Sequence, residues 1–147
     1  METIFKSIVA VVGATTSFLL GGWSPLLQVL VIFIALDYVL GFLVAFTHGE
    51  LNSEIGFKGI AKKVMILALV AVAYAIDTIM GDNTFTRDAV IFFYIANELI
   101  SILETAGKTN LPIPKVLTDA VAKLNGKAGS NNDMRTRSFL KMKRESL

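Results

Sequence analysis

Polar side chains interrupt several long apolar stretches of this chain. They are Asp37, Asp77, Asn97, Glu98, Ser101 and Glu104. An acidic side chain at the centre of a bilayer costs about 2.5–3.5 kcal/mol on insertion scales, so each acid should face protein or water rather than lipid. Two kinds of chemistry fit this pattern: a water-lined path through a protomer or an oligomer, or hydrogen bonds between helices.

The spacing of these residues separates one group from the rest. Asn97, Ser101 and Glu104 follow i, i+4, i+7 and share one helix face. We assign that face, with Asp37 and Glu98, to a pore lining or to polar contacts between protomers. Asp77 lies near a helix end and is expected to reach the headgroups. No basic residue is expected in a membrane core, so the acids should lack an internal ion-pair partner.

The other polar residues do not indicate an enzyme. There is no Gly-rich phosphate loop, no histidine-based dyad and no recognisable carboxylate pair outside the apolar stretches. The chain has no Cys, which excludes disulfides and thiolate metal sites. A single histidine, His48, leaves no zinc constellation. No catalytic residue, cofactor or metal is therefore expected.

The apolar stretches predict an all-α membrane protein. Residues 4–20, 25–46, 64–80 and 88–103 are apolar, and mean hydropathy is +0.63. A bilayer core about 30 Å thick takes about 20 helical residues, with about 17 as the lower limit. The prediction is a membrane domain over 1–107 with four spans, an amphipathic helix within 108–126 and a flexible basic tail over 127–147. The first stretch is interpreted as retained rather than cleaved as a signal peptide, because no cleavage pattern follows it.

Several residues are typical of helix starts and of turns between helices. Ser24 and Pro25 are typical of an N-cap and a first helical position. Gly81-Asp82-Asn83 indicates a turn, and Thr86 is expected to cap the last span.

Small residues line one face of the first stretch. Gly13, Ser17 and Gly21 are spaced by four, which lets two helix backbones approach closely. Two interpretations stay open: packing inside the protomer's own bundle, or a contact between subunits. The second makes these residues an oligomerisation site.

Charge sets the expected topology. From Lys108 onward there are nine Lys/Arg and three Asp/Glu, and the loop 49–63 holds three lysines. The positive-inside rule places that loop and the C-terminus in the cytoplasm. Four spans satisfy this. Three spans with an external N-terminus satisfy it equally if the first stretch does not cross.

The basic residues are expected at the cytoplasmic membrane surface. They are Lys58, Lys62, Lys63, Arg135, Arg137, Lys141, Lys143 and Arg144. Beside a bilayer, the expected partner is anionic lipid, at about 1 kcal/mol per basic residue near the surface, rather than nucleic acid. A plain solubilising tail is the alternative.

Several blocks resemble the bacteriophage holin family, which includes toxin-secretion holins of Gram-positive bacteria. They are Leu36-Asp37-Tyr38-Val39-Leu40-Gly41, Gly56-Phe57-Lys58-Gly59-Ile60-Ala61-Lys62-Lys63, Phe92-Phe93-Tyr94-Ile95-Ala96-Asn97-Glu98 running to Ile102-Leu103-Glu104, and Leu111-Pro112-Ile113-Pro114 with Leu117. The resemblance covers about 22–124 and assigns no catalytic residues.

That resemblance implies a phage-encoded homo-oligomer of the host cytoplasmic membrane. Such a protein forms lesions at a timed moment, and so releases an endolysin or depolarises the membrane. Two other classes stay open. One is a small four-helix proton-coupled exporter. That class requires an acidic residue within the first membrane helix, and this chain has none there. The other is a membrane-anchored scaffold.

Overall fold

The computed structural model describes residues 1–81, 83–129, 141, 142 and 144–146. The elements in those ranges are α1 Glu2–Leu20, α2 Pro25–Thr47, α3 Ser53–Met80, α4 Phe85–Gly107 and α5 Lys115–Gly129. The first four are long and apolar enough to cross a membrane. The predicted all-α fold with four spans and a short C-terminal helix is therefore confirmed.

The turn between α1 and α2 has the expected cap and one residue that must be glycine. Ser24 accepts a hydrogen bond from the Leu27 amide at 3.2 Å, and Pro25 starts the helix. Gly21 ends α1 with φ of 80°, a left-handed conformation that favours glycine. A Cβ atom there would lie 2.4 Å from the ring of Tyr74.

Helix α3 begins eleven residues earlier than the apolar stretch from which it was predicted. The Asn52 side chain caps it by accepting from the Glu54 amide at 3.0 Å, and Glu54 pairs with Lys58 one turn later at 3.2 Å. Lysine and glutamate are good helix formers, so charge alone does not end a helix. At 28 residues, α3 is about 42 Å long, which exceeds a bilayer core of about 30 Å.

Helix α4 is the centre of the bundle, because α2, α3 and α5 all pack on it. Among the described helices, the backbone of α1 approaches only α3. We call the end where α1 connects to α2 and α3 to α4 the turn end, and the end where α2 connects to α3 the loop end. The apolar core lies in the turn-end half, around Leu27, Leu30, Val70 and Ile91, which are each 0% exposed.

Helix α5 folds back along α4 instead of standing apart from the bundle. Leu124 packs against the apolar core, whereas Val116 is 77% exposed. The helix continues through Gly126, which was expected to stop it, to Gly129. Of the basic tail, Lys141 and Arg144 are exposed, and Arg135, Arg137 and Lys143 lie outside the described residues.

Candidate functional site

Three charged side chains from three helices meet inside the bundle. The Nζ atom of Lys63 in α3 donates to Oδ2 of Asp37 in α2 and to Oε2 of Glu98 in α4. The side chains of Lys63, Asp37 and Glu98 are 14%, 10% and 1% exposed. We call these three residues the buried triad. One ammonium group therefore joins α2, α3 and α4.

The triad lies near the middle of the spans. Asp37 is ten residues from the end of α2 at Thr47, or about 15 Å of helix, and Lys63 is ten residues from the start of α3 at Ser53. Glu98 is nine residues from the end of α4. Because the bilayer core is about 30 Å thick, these charges sit at membrane depth rather than at its surface.

The expectation that the membrane acids lack a basic partner is wrong. So is the placement of Lys63 with Lys58 and Lys62 at the membrane surface, since those two lysines are exposed and Lys63 is not. The error follows from starting the third span at residue 64, which left Lys63 in a loop. The cap signature Asn52-Ser53-Glu54 and the absence of proline between residues 52 and 64 were the signals that could have found the longer helix.

The remaining members of the predicted polar face lie outside the triad. Asn97 and Glu104 are exposed, and Ser101 is half-buried. Asn97 and Ser101 line a cleft that also reaches the triad, whereas Glu104 lines a smaller gap of about 410 Å³ between α4 and α5. Asn97 and Glu98 both line the cleft at the triad, but Asn97 is exposed and Glu98 is buried.

A second polar cluster closes the turn end, and it corrects two expectations. Asp77 is 1% exposed instead of reaching headgroups. Its two carboxylate oxygens accept from the Thr86 and Arg87 amides, both at 2.8 Å, and so cap α4. Thr86 was expected to be the cap, but α4 starts at Phe85, after Thr84.

Arg87 connects this cluster to α1. Its guanidinium donates to the carbonyl oxygens of Leu20 at 3.0 Å and Gly21 at 2.7 Å, at the C-terminal end of that helix. The negative end of a helix dipole favours a cation there. Nothing in the local sequence pattern around Arg87 indicated that it would be buried.

The small residues of α1 divide between two roles. A Cβ atom added at Gly13 would meet nothing within 4 Å, so Gly13 is not packed inside the protomer. Gly21 belongs to the helix end, where the Tyr74 ring covers it. Ser17 is half-buried, and its carbonyl accepts from the Gly21 and Gly22 amides. Packing within the protomer therefore explains the glycine at position 21 but not the glycine at position 13.

Within the described ranges, no group of three or more His, Asp or Glu side chains could hold a metal ion. The site is thus an ion-paired cluster without a metal-ligand geometry. Its chemistry is electrostatic: it keeps charge at membrane depth, and it offers polar atoms to the adjoining cleft.

A family model and a named relative point to the same protein family. The sequence model of the bacteriophage holin family matches residues 14–126. An uncharacterized protein of Listeria monocytogenes is 47% identical over 133 residues, covering 90% of this chain and 95% of the relative. A protein of Bacillus phage phi105 with the printed name "Probable holin" is 34% identical over 110 residues, covering 75% and 78%. No solved structure matches.

Proposed function

We propose that this chain, which belongs to the bacteriophage holin family, oligomerises in the host cytoplasmic membrane and forms lesions there at a timed moment. The family match over residues 14–126 carries the proposal, because it includes the triad and reaches into α5. Four helices that can span a membrane make the chain a multi-pass membrane protein. The family suggests a non-enzymatic protein, and the lesion would release an endolysin or depolarise the membrane.

Two surfaces support self-association. Helix α1 is almost wholly exposed along its length, and the open side at Gly13 allows close approach of another helix. Asn97 presents an exposed amide on α4, at the cleft that reaches the triad. An exposed amide in hydrocarbon leaves donors and acceptors unsatisfied, which favours a partner protomer or a water-lined lumen.

The proposed orientation follows from charge. The lysines at the start of α3 and the basic tail put the loop end and the C-terminus in the cytoplasm. There the tail would meet anionic lipid and tune the moment of lesion formation.

Induced expression in a Gram-positive bacterium, followed by growth and membrane potential, tests the proposal. A holin gives normal growth for a defined period and then abrupt death with loss of potential. Resistance to toxic compounds without death would indicate a transporter instead. Unchanged growth and resistance would indicate a scaffold.

A further inference from the structure

A cleft of about 690 Å³ runs from the loop end to the buried triad. It lies between α2 and the first part of α3, and α4 forms its floor. Its walls are largely apolar and include Phe42, Ile55 and Phe57, whereas its inner end carries the charged side chains of the triad and its mouth carries Glu50, Asn52 and Ser53. Gly41, Gly56 and Gly59 also line it. The Tyr38 side chain packs beside Gly56 and Gly59, where an added Cβ atom would lie 3.7 Å and 3.6 Å from it.

The triad has hydrogen-bonding capacity that the protein does not use. A lysine ammonium has three donors, and Lys63 uses two, for Asp37 and Glu98. Asp37, Lys63 and Glu98 all line the cleft, which is where the third ammonium proton can find water.

Hydrocarbon is a poor occupant for the inner end of this cleft, where the triad lies. Lipid tails cannot satisfy a carboxylate oxygen or an ammonium proton, and leaving them unsatisfied is costly. At roughly 30 Å³ each, about twenty water molecules fit the volume. The lining carries three acids, Asp37, Glu50 and Glu98, against Lys62 and Lys63, so its formal charge is negative and favours cations.

The apolar core closes the other side of the triad. Ile66 lies one helical turn after Lys63 in α3, and Ile95 lies one helical turn before Glu98 in α4. Both isoleucines are buried. Leu30 and Val70 lie further toward the turn end and are 0% exposed. We propose that the cleft is a water-filled half-channel that opens at the loop end, admits small hydrophilic cations in preference to anions, and stops at the triad beneath this apolar plug.

Cysteine accessibility tests the half-channel directly, since the chain has no native Cys. Gly41→Cys places a thiol in the cleft, where an added Cβ meets nothing within 4 Å. Leu43→Cys is the matched control: it lies on the same helix, two residues nearer the loop end, is 51% exposed and does not line the cleft. Detergent-free membrane vesicles, open at the loop end to the medium, are treated with cationic and anionic thiosulfonates of similar size.

Gly41→Cys should react at least about tenfold faster than Leu43→Cys, because the reactive thiolate forms in water and not in hydrocarbon. The cationic reagent should react faster than the anionic one. Ser101→Cys, a near-isosteric change on α4, should behave like Gly41→Cys and decides the matter if the glycine variant does not fold.

Equal rates for the cleft and control cysteines, whether slow or fast, would overturn the half-channel. Faster reaction with the anionic reagent would overturn the cation preference, and labelling only from the turn end would overturn the direction. The proposal goes beyond lesion formation, and its test needs no lysis. A protein that never kills its host could still show the half-channel, and a holin could lack it.

Discussion

The Nζ atom of Lys63 lies 2.5 Å from Oε2 of Glu98, although 35 residues separate them in sequence. The same nitrogen contacts Asp37, so α2, α3 and α4 share one cation near mid-membrane. The formal charge of the triad is negative by one. Removing its only cation should therefore be worse than removing all three charges.

Lys63→Met tests how much that cation contributes to the stability of the folded protein. It leaves two buried carboxylates unpaired, and breaking a buried ion pair in this way costs about 3–5 kcal/mol. We expect a lower midpoint of thermal unfolding in detergent. The control is Lys58→Met on the same helix, whose exposed pair with Glu54 contributes less than about 1 kcal/mol. Equal midpoints for the two variants would mean that the triad does not hold the helices together.

A triple variant separates charge from packing. Asp37→Leu, Lys63→Met and Glu98→Leu together replace the cluster with apolar groups, which is often neutral or stabilising. The triple variant should recover most of the midpoint lost by Lys63→Met alone. A triple variant less stable than the single one would show that the triad acts through specific contacts rather than through its unpaired charge.

Gly13→Leu tests self-association through α1. The protomer has room for the new side chain, so the variant should fold, but its helix can no longer approach another closely. We expect weaker crosslinked oligomers in membranes for Gly13→Leu and for Ser17→Leu. Val11→Leu, at an exposed position on another side of α1, is the control. Unchanged oligomers in both test variants would exclude this contact.

Asn97→Leu and Glu98→Leu compare the role of an exposed polar residue of α4 with that of a buried one. Both make the helix more apolar, so both should insert. Asn97→Leu should keep the unfolding midpoint and delay lysis, because only the exposed amide is lost. Glu98→Leu should delay or abolish lysis and also change the midpoint. Normal lysis timing in Asn97→Leu would remove that residue from the assembly surface.

Asp77→Ala tests the cluster at the turn end. The change removes both hydrogen bonds that the Thr86 and Arg87 amides donate to Asp77, so the first turn of α4 loses its side-chain cap. Unfolding should occur at a lower temperature, and protease should cut the 81–84 turn sooner. Thr78→Ala, at the next position but exposed, should change neither. Identical behaviour of the two variants would contradict the cap.

The basic tail should set timing rather than form the lesion. Replacing Arg135, Arg137, Lys141, Lys143 and Arg144 with Gln weakens attraction to anionic lipid, and we expect earlier lysis. A chain that ends at Gly126 should still lyse its host. A truncated protein that inserts but never lyses, or a tail cut by protease outside intact cells, would contradict this role.

Hydropathy was enough to predict four spans but not where the third begins, and residue types were enough to place the cap at Ser24. Hydropathy averaging did not show the triad, because it treats Lys63 as the edge of a span, whereas α3 begins at Ser53 and brings the Lys63 ammonium inward. Asp77 was misplaced for a related reason. Its partners, the amides of Thr86 and Arg87, belong to the next helix, and only the tertiary turn brings them within 2.8 Å.

Release of a cell-wall hydrolase from the cytoplasm is the decisive test of lesion formation by this chain. The chain is induced together with a cytoplasmic cell-wall hydrolase that has no export signal, and culture turbidity is followed beside cultures that carry either protein alone. The account predicts abrupt clearing after a fixed delay only when both are present, with death but slow clearing for the chain alone. Hydrolase that stays in the cytoplasm of depolarised cells would contradict release, and cells that keep growing and stay polarised would contradict lesion formation itself.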